Sequence, residues 1–186
     1  PFYHIIRHGI YLLLGAATMY VTLQVPVKLW QDAGPALLVA GMAILALLLV
    51  PGIGREVNGA TRWIGFGPVN LQPSELMKLF FVVYLAGYMT RRQRELQNSW
   101  SGMLKPLGLL GAVVLLLLLE PDFGAAVVIA GAAMAMLFLG GARLLPFIVL
   151  MLLALVGAAV MAVWSPYRMQ RLITFLDPWS DQFASG

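Results

Sequence analysis

The chain contains no cysteine, which excludes a disulfide scaffold and any thiolate metal site. Charge is scarce as well. Twelve basic and eight acidic residues make up 11% of 186 positions while 61% are hydrophobic, whereas globular domains carry about 25% charged residues. With a mean hydropathy of +0.87, there is too little polar surface to cover a soluble fold, so a soluble enzyme is excluded first. The formal net charge of +4 is spread between apolar runs and forms no stripe, which argues against a nucleic-acid partner. There is no internal repeat, no heptad pattern and no low-complexity tract beyond leucine runs such as Leu115 to Leu119. The first residue is Pro1, and no basic segment leads into a cleavage site, so the expectation is an internal piece of a longer chain.

What is present is a series of long uncharged runs. A helix crossing a hydrocarbon core of about 30 Å needs roughly 20 apolar residues. The intervals Arg7 to Lys28, Asp32 to Arg55, Asp122 to Arg143 and Arg143 to Arg168 enclose 20, 22, 20 and 24 uncharged residues. Two shorter runs, Leu79 to Thr90 and Pro106 to Leu119, become spans if Lys78 lies inside the membrane and Met103 to Lys105 sits at an interface. The expected fold class is an all-α polytopic membrane protein, with about six transmembrane helices in a single domain over residues 1–186.

The compact basic cluster Arg91, Arg92 and Arg94 marks its side as cytoplasmic. Alternation then puts Lys28, Lys105, Arg143, Asp32 and Glu95 on that side. Arg55, Arg62, Arg168, Arg171, Glu56, Glu120, Asp122, Asp177 and Asp181 fall on the outer side, with Glu75 near the outer end of its helix. The inner connections are short, whereas the two outer loops, 51–72 and 165–186, are long. Long loops are disproportionately functional.

The first outer loop leads into Gln72-Pro73-Ser74-Glu75-Leu76-Met77-Lys78, in which Pro73 followed by an acid reads as a helix start. Glu75 and Lys78 stand three apart and share a helix face. A lysine one turn inside a membrane helix is expensive unless partnered or facing a polar cavity, so the pair reads either as a packing lock or as the wall of a cavity for an anionic lipid head group. Trp63 reads as an interfacial aromatic and Arg62 as a snorkelling cation. Glu120-Pro121-Asp122 is a tight turn whose carboxylates either bind a cation or, as is commoner, are hydrated. His4 and His8 have metal-ligand spacing without a nearby acidic partner and are not read as a site. In the last loop Met169, Leu172, Ile173 and Leu176 recur at helical spacing with Arg168 and Arg171 on another face, which describes an amphipathic interfacial helix. Pro178 stops it at Asp177.

Taken together, NGATRWIGFGPVNLQPSELMKL, LEPDFGAAVV and YRMQRLITFLDPWSDQFASG, in this order and at these separations, closely resemble the SEDS family of bacterial cell-wall polymerases, and its division branch more than its elongation branch. The resemblance covers essentially the whole chain. It implies a ten-helix membrane protein of which the six spans would be helices two to seven. It also implies polymerisation of the lipid-linked precursor lipid II at the outer face of the cytoplasmic (inner) membrane, during septal wall synthesis, with release of undecaprenyl pyrophosphate.

In such a reaction an α-linked donor gives a β-1,4 product, so one inverting displacement with a single base suffices, by analogy with inverting glycosidases. By motif position the essential aspartate of the family is Asp181, expected to accept the proton of the acceptor hydroxyl, with Asp177 ordering the loop or joining Asp181 in binding a divalent cation, Mg or Mn. Arg62 resembles the loop arginine of the family and Lys78 its cavity lysine. With Arg168 and Arg171 they would stabilise the pyrophosphate leaving group. Trp63 matches a tryptophan that matters in the family, and Glu75 accompanies Lys78. The implied partners are a class B penicillin-binding protein, which is a transpeptidase, and the division regulators. A lipid II flippase or transporter, and a scaffold for the transpeptidase, are the alternative functions.

Overall fold

The computed structural model describes residues 3–50, 52–57, 60–66, 69–142, 145, 147–149, 151, 152, 156 and 157. The expected interfacial helix, most of the sixth expected span, and Arg168, Arg171, Asp177 and Asp181 lie outside the described residues. Helices α1 (Tyr3–Gln24), α2 (Val27–Leu48), α3 (Pro73–Arg91), α4 (Gln93–Asn98), α5 (Trp100–Leu119) and α6 (Phe123–Leu139) are joined by strands β1 (Arg55–Val57), β2 (Ala60–Phe66) and β3 (Val69–Leu71). Among the described residues α2 and α5 are long and apolar enough to cross a membrane.

The helical class is the expected one, with α1, α2, α3, α5 and α6 at five of the six expected spans and the short α4 in addition, and loop 51–72 departs from expectation. Instead of turns alone it holds a three-stranded antiparallel meander in the order β1-β2-β3, with Trp63 opposite Arg55 and Ile64 opposite Leu71. The physical cause lies in β2, where Thr61, Trp63, Ile64 and Phe66 are all strand-favouring types. The two shorter expected spans also begin earlier than charge spacing suggested, at Pro73 and Trp100. Pro73 occupies the first turn of α3, with Glu75 favouring the positive end of the helix dipole. Ser99 caps α5 by accepting from the Ser101 amide at 3.2 Å.

Helix α3 is the centre of the bundle, packing on α2, α6 and α5. Its buried Met77, Phe81, Tyr84, Leu85 and Tyr88 meet Leu38 and Leu45 of α2, Val113 and Leu117 of α5, and Ala126, Ile129 and Ala133 of α6 in one core. In lipid, where tails are as apolar as leucine, such contacts hold through close packing rather than through exclusion of water. That explains the small residues at the seams. A side chain at Gly34 would stand 3.1 Å from the Tyr84 Cα, so α2 meets the α3 backbone directly. By contrast α1 exposes apolar side chains along its whole length, Leu13 at 73% and Leu23 at 75% among them. Such a surface suits hydrocarbon and not water.

The basic end of the bundle is tied by polar contacts. Arg91 donates to the Gln31 carbonyl at 2.8 Å, the Tyr88 hydroxyl donates to the Gly102 carbonyl at 2.6 Å, and Glu95 pairs with Arg92 at 2.5 Å and Lys105 at 3.5 Å. The opposite end gathers the sheet, the start of α3 and the turn between α5 and α6.

Candidate functional site

The turn Glu120-Pro121-Asp122 organises that opposite end. Asp122 is the N-cap of α6, accepting from the Ala125 amide through Oδ1 at 3.3 Å. Its other oxygen, Oδ2, accepts from the Ser74 hydroxyl at 2.8 Å and from Gln72 Nε2 at 3.1 Å. Ser74 is 1% exposed and Asp122 5%, so these bonds form out of water, where a carboxylate acceptor strengthens them. Gln72 also donates to Ser74 Oγ at 3.0 Å. The commoner expectation for this turn, two hydrated carboxylates, is therefore overturned: Glu120 is buried too, at 3%. The reason is long-range, because the polar partners of Asp122 come from the start of α3 and not from solvent.

Arg62 reaches the same turn from β2. Its Nε donates to the Glu120 carbonyl at 3.3 Å and its NH2 donates to the Pro121 carbonyl. These are helix-end carbonyls of α5 or adjoin them, and a cation there is doubly favoured, by hydrogen bonds and by the dipole. The snorkelling reading of Arg62 gives way to a clamp holding the strand against the turn. Trp63, next to it, is partly buried.

Burial is the largest cause raising the Glu120 carboxyl, followed by the neighbouring Asp122 carboxylate. The Arg62 guanidinium opposes both, and the result is about 7 against an ordinary 4.5. Glu75 and Lys78 form the expected pair, Nζ to Oε2 at 2.7 Å, with the Lys78 side chain 26% exposed and that of Glu75 60%. The structure thus brings Arg62 to the α5–α6 turn and joins Glu75 to Lys78. Among the described residues no three His, Asp or Glu side chains stand close enough together to hold a metal. Asp177 and Asp181, the expected cation ligands, are outside them.

Sequence reasoning missed the roles of Gln72, Ser74 and Asp122. A cap signal was available in the aspartate directly ahead of the apolar run from Phe123, but the partners of its second oxygen, 48 and 50 residues away, leave no local trace.

The family model for FtsW, RodA and SpoVE, described as "Cell cycle protein", matches residues 1–186. The chain belongs to this family. Two relatives named "Probable peptidoglycan glycosyltransferase FtsW" come from Pseudomonas fluorescens, 53% identical over 99% of this chain, and Nitrosococcus halophilus, 50% identical over 100% of it. The chain covers 45% and 48% of these two relatives, so it spans about half their length. Among solved structures it is similar to a chain described under "Structural coordination of polymerization and crosslinking by a peptidoglycan synthase complex", with 32% identity, 96% of this chain and 52% of that one covered, and a TM-score of 0.73. It is also similar to the Thermus thermophilus rod shape determining protein RodA, with 34% identity, 81% and 49% covered, and a TM-score of 0.68. The expected SEDS resemblance and its leaning to the division branch agree with these relatives, and the helical fold is that of the RodA structures. The family match and the apolar helices make this a membrane protein.

Proposed function

We propose that this chain is the central part of an inverting peptidoglycan glycosyltransferase that polymerises lipid II into β-1,4 glycan strands and releases undecaprenyl pyrophosphate in septal wall synthesis. The observation that carries this reading is the family match over the whole chain, with relatives about half identical that bear the glycosyltransferase name. On this reading its six spans are helices two to seven of ten, and the sheet end faces the periplasm or cell exterior. The loop 165–186 supplies Asp181 as base toward the acceptor hydroxyl, and Asp177 orders that loop or shares a divalent cation with Asp181. One displacement forms the new glycosidic bond as the bond to pyrophosphate breaks, and no covalent sugar intermediate is needed.

The structure of the first outer loop supports a division of labour among the cations. Arg62 places its Nε and one NH2 donor on the Glu120 and Pro121 carbonyls, which seats its guanidinium at the α5–α6 turn with further donors left for the leaving group. Lys78, partly exposed and held by Glu75, is the cation kept for the anionic head group, joined by Arg168 and Arg171 where pyrophosphate charge develops. Trp63 follows Arg62 in β2 and is partly buried. The partner expected from a neighbour described as a synthase complex of polymerization and crosslinking is a class B penicillin-binding transpeptidase, with division regulators joining it.

The test is the full-length protein in detergent with lipid II as its sole substrate. Glycan strands with β-1,4 linkages, formed in proportion to released undecaprenyl pyrophosphate, are expected. Lipid II translocation across vesicles that depends on Lys78, without polymer, would instead favour a flippase. Normal transpeptidase binding without polymer would favour a scaffold.

A further inference from the structure

Glu120 is 3% exposed, and its Oε1 has no hydrogen-bond partner among the described residues. Burying an unpaired ionised oxygen is far more costly than burying a neutral carboxylic acid. The charged groups facing it are Asp122 in its own turn and Arg62 from β2. From the start of α3 come the neutral Gln72 and Ser74, while Glu75 and Lys78 on that helix are bound to each other. Helix α6 carries no titratable side chain. Arg62 meanwhile rests on the backbone carbonyl of Glu120 itself. An ionised Glu120 side chain would offer this guanidinium a stronger acceptor than either carbonyl and would set a second negative charge against Asp122.

We propose that Glu120 is a positioning residue for the first outer loop: while it carries its proton, Arg62 stays clamped on the Glu120 and Pro121 carbonyls, and when the proton leaves to solvent the guanidinium turns from these carbonyls to the Glu120 carboxylate and the β2–β3 hairpin changes its seat. The carboxyl titrates at about 7, so the change falls near neutrality. It concerns the seating of the loop and does not depend on which reaction the loop serves.

The test is hydrogen exchange of the backbone amides of β2 in the full-length protein, comparing wild type with Glu120→Gln, a neutral mimic of the protonated acid, at the same pH. A unit above the titration point the wild-type β2 amides should differ in exchange about threefold or more from those of the variant, and a unit below it the two should match. Equal exchange at both values, or faster exchange in Glu120→Gln at the lower one, overturns the proposal. Should the variant not fold, the wild-type infrared spectrum decides instead. A buried carboxylic-acid carbonyl band present below the titration point and lost above it supports the proposal, and its absence at both overturns it. Neither measurement reads sugar transfer, so their failure leaves the glycosyltransferase reading untouched.

Discussion

The Ser74 hydroxyl donates to Asp122 Oδ2 at 2.8 Å across 48 residues of sequence, joining the first turn of α3 to the cap of α6. Both side chains are buried, and the same carboxylate holds Gln72 and the Ala125 amide. One aspartate therefore fixes how two helices and the end of the sheet meet.

Asp122→Ala removes the cap and leaves the buried Ser74 hydroxyl without this acceptor, while the part-buried Gln72 amide keeps Ser74 Oγ as its acceptor. A lost cap costs about 1 kcal/mol and the stranded hydroxyl about 1–3 kcal/mol, so destabilisation on the order of 3 kcal/mol is expected in thermal unfolding of the full-length protein. A double-mutant cycle with Ser74→Ala and Asp122→Asn should give a coupling of about 0.5–3 kcal/mol. Additive effects would show that the bond contributes nothing.

Glu120 gives stability a pH dependence of definite sign. Its carboxyl is raised in the fold from 4.5 to about 7, so the unfolded chain ionises first. The contribution is fully present below 4.5, falls as pH rises, and is gone once the folded form ionises at about 7. The loss is on the order of 3 kcal/mol at 1.36 kcal/mol per unit. Unfolding midpoints of wild type and Glu120→Gln should draw apart across this window in favour of the variant and run parallel above it. Parallel curves throughout would contradict the burial argument.

Lys78 and Glu75 separate stability from function. The pair is partly exposed, and such pairs contribute about 0–1 kcal/mol. Lys78→Met should therefore shift unfolding by less than about 1 kcal/mol while lowering polymer formation about tenfold or more, as expected for loss of a cation at a charged centre. Unchanged polymerisation would remove Lys78 from the site.

Two glycines should respond in opposite ways to alanine. At Gly34 the new Cβ meets the Tyr84 backbone at 3.1 Å, whereas at Gly15 nothing lies within 4 Å. Gly34→Ala is expected to loosen α2 from α3 and lower the unfolding midpoint. Gly15→Ala should leave it unchanged or raise it, since alanine favours a helix by up to about 1 kcal/mol. Equal responses would mean that the α2–α3 seam has room to spare.

The helices were legible because charge gaps and Pro73 are local signals. The pairing of Glu75 with Lys78 was legible for the same reason, being set by helical spacing alone. The sheet was missed although β2 carried its own signs, with Thr61, Trp63 and Ile64 bounded by Gly59 and by Gly67-Pro68. In so apolar a chain, turn residues between spans read more readily as loop than as strand. The buried turn was beyond local reading altogether. Glu120 and Asp122 look like hydrated surface acids until Arg62, Gln72 and Ser74 arrive from elsewhere in the chain.

On the proposed function Asp181 is the base of the glycosyl transfer, and the decisive assay is full-length Asp181→Asn with lipid II. The variant should fold and bind lipid II as the wild type does yet make no glycan strands. Strands formed at the wild-type rate would contradict the claim.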